Sequence, residues 1–257
     1  MKQPASSLTD PPERPVRVLW AILIFAMVLP TPLAWIYFVF LAKPPGDKPS
    51  FLALGAYAAS KVVQFGFPLI WVFTVEKRRI AGIRPRWEGI AFGAGFGLVV
   101  FAAALTVYQI WLRHTPMLAL AREKVLARLE SFHVATPGHY LLLATFLACM
   151  HSLMEEYYWR WFVFGELRRL IALPAAVVVS SLGFMAHHVV ILWVYFPNHF
   201  WTAAVPLSLC VAVGGAVWAV VYEQSGSLVG PWLSHLIVDA AIMAIGYELL
   251  FPAAPSG

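Results

Sequence analysis

Residues 140–164 read YLLLATFLACMHSLMEEYYWRWFVF. At 1.5 Å per residue, a helix over this stretch is longer than the ~30 Å hydrocarbon layer of a membrane. Inside it stand two adjacent carboxylates, Glu155 and Glu156, together with Arg160 and His151. Charged groups at mid-bilayer cost about 2.5–3.5 kcal/mol each on insertion scales, so residues held there are functional candidates by default. The stretch is therefore read both as a membrane span and as part of a site.

The rest of the 257-residue chain supports the same solvent. It is 61% hydrophobic and 12% charged, against roughly 45–50% and 25% for soluble domains. Further apolar runs cover 18–42, 51–75, 89–112, 173–195, 201–222 and 231–251, each about 20 residues or longer. The fold class expected is an all-α polytopic membrane helix bundle of seven transmembrane helices, or eight if the 113–138 stretch holds another. Within that stretch, Leu118, Ala121, Val125, Leu129 and Phe132 share one face, and Arg122, Glu123, Lys124 and Arg128 lie largely elsewhere, which predicts an amphipathic helix at the interface. Pro30 and Pro32 sit in the first run. They remove backbone donors and predict a kink whose freed carbonyls a neighbouring helix must satisfy.

Residues 1–17 are rich in Pro, Ser and charge and are expected to form a disordered tail. Residues 18–138 supply the N-terminal helices and the amphipathic segment, and 139–251 a core carrying the polar motifs. Lys and Arg number ten on the side of the tail, the 76–88 loop and the 165–172 turn, against six on the other, so the first side is expected to be cytoplasmic. The net charge of +5 is spread over short loops, with no basic face to lay on phosphates, and no nucleic-acid partner is expected. Cys149 and Cys210 show no metal-ligand or disulfide spacing and are read as packing residues.

Three later runs hold the remaining intramembrane polar groups. Glu156 and Arg160 are four apart, acid first, the favourable order for an ion pair on one helix face. Glu155 is rotated by about 100° from Glu156 and shares a face with His151. Phe184 and His188 are spaced by four in the fifth run, and His235 and Asp239 by four in the seventh. Carboxylates and imidazoles from three helices can converge to hold a metal or to deprotonate a water. His151 or His187 taken singly reads as a satisfied structural contact, and Lys61 is given no role. Tyr157, Tyr158 and Trp159 pack, or line a groove. Measured from the ends of the runs, Glu155, His188, Asp239 and His235 lie at about 15, 22, 12 and 6 Å, so their meeting is a test of the reading.

Glu155-Glu156-x-x-x-Arg160, Phe184-x-x-x-His188 and His235-x-x-x-Asp239, in this order on successive spans, resemble the three motifs of the CAAX protease and bacteriocin-processing family, the Rce1-like or Abi intramembrane proteases. The resemblance covers about 100 residues and makes 139–251 a protease core. It implies an integral protein of the bacterial inner membrane that hydrolyses a membrane-associated peptide or protein. Glu155 and His188 would be the water-activating pair, His235 and Asp239 the oxyanion side, and Glu156 and Arg160 the structural support. No cofactor is fixed by the resemblance; it leaves open a divalent metal such as zinc, held by Glu155, His188 and His235. Many members have Asn where Asp239 stands, and an ionised aspartate cannot donate to an oxyanion. Asp239 is then protonated in its apolar site, orients His235 or binds a metal, and the preferred role is to orient His235. A catalytically silent scaffold or bacteriocin-immunity protein of the same fold is the alternative, and a proton-coupled carrier, for which no inverted repeat is detected, a third.

Overall fold

The computed structural model describes residues 15–41, 51–77 and 84–252. Most of the tail expected over 1–17 lies outside the described residues, as do Lys43, Lys48, Arg78 and Arg79; the first helix already begins at Val16. Among the described residues every regular element is helical.

Eight helices follow in order. They are α1 (Val16–Phe40), α2 (Phe51–Ile70, continuing as Trp71–Val75), α3 (Trp87–Ile110) and α4 (Pro116–Ser131). Next comes α5, which starts at Pro137 and runs without a break to Arg168. The last three are α6 (Leu173–Tyr195), α7 (Phe200–Ala204, continuing as Val205–Ser225) and α8 (Val229–Leu250). Among the described residues six helices are long and apolar enough to cross a membrane, those built on α1, α2, α3, α6, α7 and α8. Helix α5 is as long as these but carries Glu155, Glu156, Arg160, Glu166 and Arg168, and it is not among the six.

Those charges face protein. Helix α5 packs against α1, α2, α6, α7 and α8. Tyr158, Trp159, Phe162, Val163, Phe164 and Leu167 are buried among them. Tyr158 and Trp159 are thus packing residues and do not line a groove. Two π-helical stretches, Leu147–His151 and Tyr157–Phe164, flank the glutamates; such turns release carbonyls from the α-helical ladder and re-aim side chains. One of these carbonyls, of Cys149, accepts a hydrogen bond from Trp232 Nε1 of α8 at 2.9 Å.

The prolines of α1 act as the sequence suggests. The helix is interrupted at Leu29 and resumes at Pro30. Pro30 has no N–H for the carbonyl four residues back, that of Ala26. The buried Tyr158 hydroxyl of α5 donates to that carbonyl at 2.7 Å. Helices α3 and α8 approach backbone to backbone: a Cβ at Gly93 would lie 2.2 Å from the Gly230 carbonyl oxygen, and one at Gly230 2.3 Å from that of Gly89. Small residues permit such contact where side chains would hold helices apart.

The amphipathic segment is helical over α4, with Leu118, Ala121 and Leu129 buried. Two of its basic residues turn toward the bundle. Arg122 Nε donates to the Leu249 carbonyl at 2.8 Å, and the Arg128 guanidinium lies 4.5 Å from the Tyr37 ring centroid. Helix α4 therefore ties the ends of α1 and α8 together.

Candidate active site

Glu155, 5% exposed, is the hub of the site. Its Oε1 lies 3.5 Å from His151 Nε2, one turn earlier on α5, and 3.5 Å from His187 Nε2 on α6. Its Oε2 lies 3.7 Å from His235 Nε2 on α8. His188 joins from α6: donor atoms of Glu155, His187 and His188 all fall within 4.8 Å of one another. Groups at unequal distances from the ends of their apolar runs therefore share one place.

Glu156 points the other way. It is fully buried, and its Oε2 lies 3.2 Å from Arg160 Nε. The guanidinium is itself sandwiched, 4.5 Å from the Phe184 ring centroid and 5.0 Å from that of Trp218. Gly215 of α7 makes the room, since a Cβ there would meet both Arg160 Nη2 and the Phe184 ring at 3.2 Å. Glu156 Oε1 then accepts a hydrogen bond from His235 Nδ1 at 2.8 Å. Glu156 thus links the first motif to the third, a second duty beyond its expected pairing with Arg160.

These contacts fix which ring nitrogens are available. A carboxylate paired with a guanidinium is an acceptor only, so His235 Nδ1 carries the proton and Nε2 faces Glu155. His188 Nδ1 lies 2.9 Å from the Phe184 carbonyl, also an acceptor, so its Nε2 lone pair is turned to the site. This is the arrangement in which an outer hydrogen bond sets the tautomer of a functional imidazole. Aromatic faces hold the rings: Trp218 stacks on His235 at 4.2 Å and 17°, and Trp159 lies parallel to His187 at 5.9 Å and 4°.

Asp239 Oδ1 is 3.6 Å from His235 Nε2, longer than a hydrogen bond. The orienting bond on His235 comes from Glu156, so the preferred sequence role of Asp239 falls to another residue. The donor set that could hold a metal also differs from the one expected, with His187 beside Glu155 and His188 where His235 stood. His235 has its Nδ1 committed to Glu156 and lies outside that set. The sequence reading underrated His187 and His151, both within 3.5 Å of Glu155. The i, i+4 spacing of His151 to Glu155 was the signal for one of them. For His187 the signal was only its place next to a motif histidine.

All of these groups lie in one segment of the chain. A family model described as type II CAAX prenyl endopeptidase Rce1-like matches residues 137–241. Residues 137–241 are an Rce1-like domain. No curated protein and no solved structure matches the chain. The Rce1-like domain takes in α5, α6, α7 and α8 as far as Ala241, and with them every residue of the three motifs.

Proposed function

We propose that the protein is a multi-pass intramembrane endopeptidase of the CAAX-protease type. In this reading Glu155, helped by the free Nε2 of His188, takes a proton from a water that attacks a peptide carbonyl of a membrane-associated peptide or protein. His235 and Asp239 face the same reacting centre from α8 and serve the tetrahedral intermediate. Glu156 and Arg160 hold the two sides in register. The observation that carries the reading is the Glu155 carboxylate, buried within an Rce1-like domain and met by imidazole nitrogens from α5, α6 and α8. General bases within reach of their water contribute typically 10²–10⁴-fold.

The experiment compares membranes from cells of the native host expressing wild type or Glu155→Ala. At least one membrane polypeptide is expected to remain uncleaved only in the variant. An unchanged membrane proteome would favour the silent-scaffold reading.

The donor set supports a second chemical version of the same function. Two neutral imidazoles and a carboxylate fit a divalent ion such as zinc, with a fourth position for water. Glu155, His187 and His188 would hold it, and its contribution would be to lower the pKa of the bound water. Treatment with 1,10-phenanthroline separates the versions: loss of cleavage restored by zinc supports the metal, and cleavage indifferent to the chelator supports Glu155 and His188 acting alone.

A further inference from the structure

Helix α2, outside the Rce1-like domain, carries a lysine in its apolar span. A lysine so placed ordinarily extends its ammonium toward the membrane surface. Lys61 turns inward along its own helix instead, its Nζ 3.3 Å from Oε1 of the buried Gln64 and 5.6 Å from the Phe65 ring centroid. The Phe65 ring in turn meets the His151 ring edge-on at 6.4 Å and that of Tyr158 at 6.0 Å. Tyr157 of α5 holds this part of α2 in place, its hydroxyl donating to the Phe65 carbonyl at 3.2 Å. The Lys61 charge is thereby near enough to act on Glu155 and on His151. This side of the site is open: the His151 side chain is 26% exposed, against 7% for His187 and 6% for His235.

When water attacks a peptide carbonyl, negative charge grows on the carbonyl oxygen, and donors aimed at that charge are usually the largest single contribution to the rate. The groups gathered at the site are poor in such donors. Glu155 and an ionised Asp239 only accept, and His188 turns a lone pair to the site. His235 gives its Nδ1 proton to Glu156. The Arg160 guanidinium is turned to Glu156 and enclosed by Phe184 and Trp218. An ammonium brings three donors and a full positive charge. We propose that Lys61 is a catalytic residue supplied by α2, its ammonium stabilising the oxyanion of the tetrahedral intermediate. The inference rests on the endopeptidase reading above. As the oxygen of water bonds to the carbonyl carbon, one proton of the water passes to Glu155 and the carbonyl π pair moves onto oxygen. Lys61 donates a hydrogen bond to that oxygen and keeps its own proton. The pair then returns, the C–N bond breaks, and the nitrogen leaves with the proton held by Glu155. One product ends in a carboxyl group and the other in an amine. His235 and Asp239 serve the O–H and N–H groups of the intermediate from α8.

The test uses a peptide cleaved by wild type but not by Glu155→Ala, and the same peptide with its scissile amide replaced by a phosphinate, an uncleavable tetrahedral anion. Lys61→Met keeps the length of the side chain and removes its charge, and methionine suits an apolar helix, so the variant is expected to fold. Its kcat/KM is expected to fall roughly 10²–10³-fold. KM should stay within about threefold of wild type while affinity for the phosphinate falls by about as much as kcat/KM. Lys61→Gln, neutral but polar, should show the same paired loss, and Lys61→Arg, which keeps the charge, a loss of about tenfold or less. A fall in kcat with phosphinate affinity intact would overturn the proposal, making Lys61 a positioning group for Glu155. A raised KM with kcat kept would overturn it too, since Lys61 would then hold an anionic part of the substrate. Wild-type kinetics in Lys61→Met and Lys61→Gln would do the same. Failure of the endopeptidase reading shows before Lys61 is touched: wild type would cleave no peptide, or Glu155→Ala would cleave as well as wild type.

Discussion

Arg160 to Met is the perturbation whose consequence the structure states most fully. The guanidinium is 2% exposed and Glu156 fully buried, 3.2 Å apart. Methionine fills a similar volume between the Phe184 and Trp218 rings, so the loss is electrostatic. Glu156 keeps only its bond from His235 Nδ1 and becomes a buried anion without its countercharge. Removing one partner of a buried pair costs about 3–5 kcal/mol. On the scale of a chain of this length, that corresponds to a fall of roughly 6–20 °C in the unfolding midpoint. Replacing Glu156 by Gln in the same chain removes the stranded charge and leaves an amide oxygen to accept from His235. Exchanging a buried pair for neutral groups is often close to cost-free, so the double variant is expected to recover most of the loss. Thermal unfolding in detergent, followed by intrinsic tryptophan fluorescence, reads both numbers. A single variant within about 2 °C of wild type, or a double variant less stable than Arg160→Met, would refute the argument that the ion pair holds itself together across a buried site.

Three further outcomes are expected. Gly93→Ala, whose Cβ would lie 2.2 Å from the Gly230 carbonyl oxygen, should cost about 1–3 kcal/mol by forcing α3 from α8, whereas Gly95→Ala, with nothing within 4 Å, should change stability by no more than about 0.5 kcal/mol in the same unfolding assay. Tyr158→Phe should cost about 1–3 kcal/mol by leaving the Ala26 carbonyl unsatisfied, and Pro30→Ala in that background should restore part of it by supplying a backbone N–H; no rescue in chemical or thermal melts would separate the tyrosine from the proline. His187→Ala is expected to abolish zinc uptake, measured by elemental analysis of purified protein, if the chelator experiment reveals a metal; uptake at wild-type level would remove His187 from the donor set.

The membrane fold was legible because lipid imposes a single rule, that a crossing must be about 20 apolar residues long, and α1, α2, α3, α6, α7 and α8 obey it. The Glu156–Arg160 pair and the sharing of a face by His151 and Glu155 were legible too, since both ends of each pair lie on one helix and 3.6-residue periodicity settles them. What spacing could not reach was any contact between helices. That Glu156 serves His235 as well as Arg160 depends on how α8 is turned toward α5. The same rotation leaves Asp239 without the orienting role its spacing suggested. His187 was hidden for a related reason: adjacent residues on a helix point about 100° apart, yet two long imidazole side chains can still bend to one neighbour. The stacking of Trp218 on His235 comes from α7, which carries no motif at all.

The bond from Tyr158 to Ala26 has a bearing on how such proteins can be recombined. The Rce1-like domain begins at Pro137, and the first helix shares no motif with it. Even so, a vacancy in the backbone of α1 is plugged by a side chain of α5, and Gly183 of α6 gives way to Trp159 and Met27 together. A chimera that joins a foreign N-terminal half to this domain must bring a proline-broken first helix or leave a hydroxyl without an acceptor beside the site. The segment that can be exchanged as a unit is therefore larger than the segment that can be recognised.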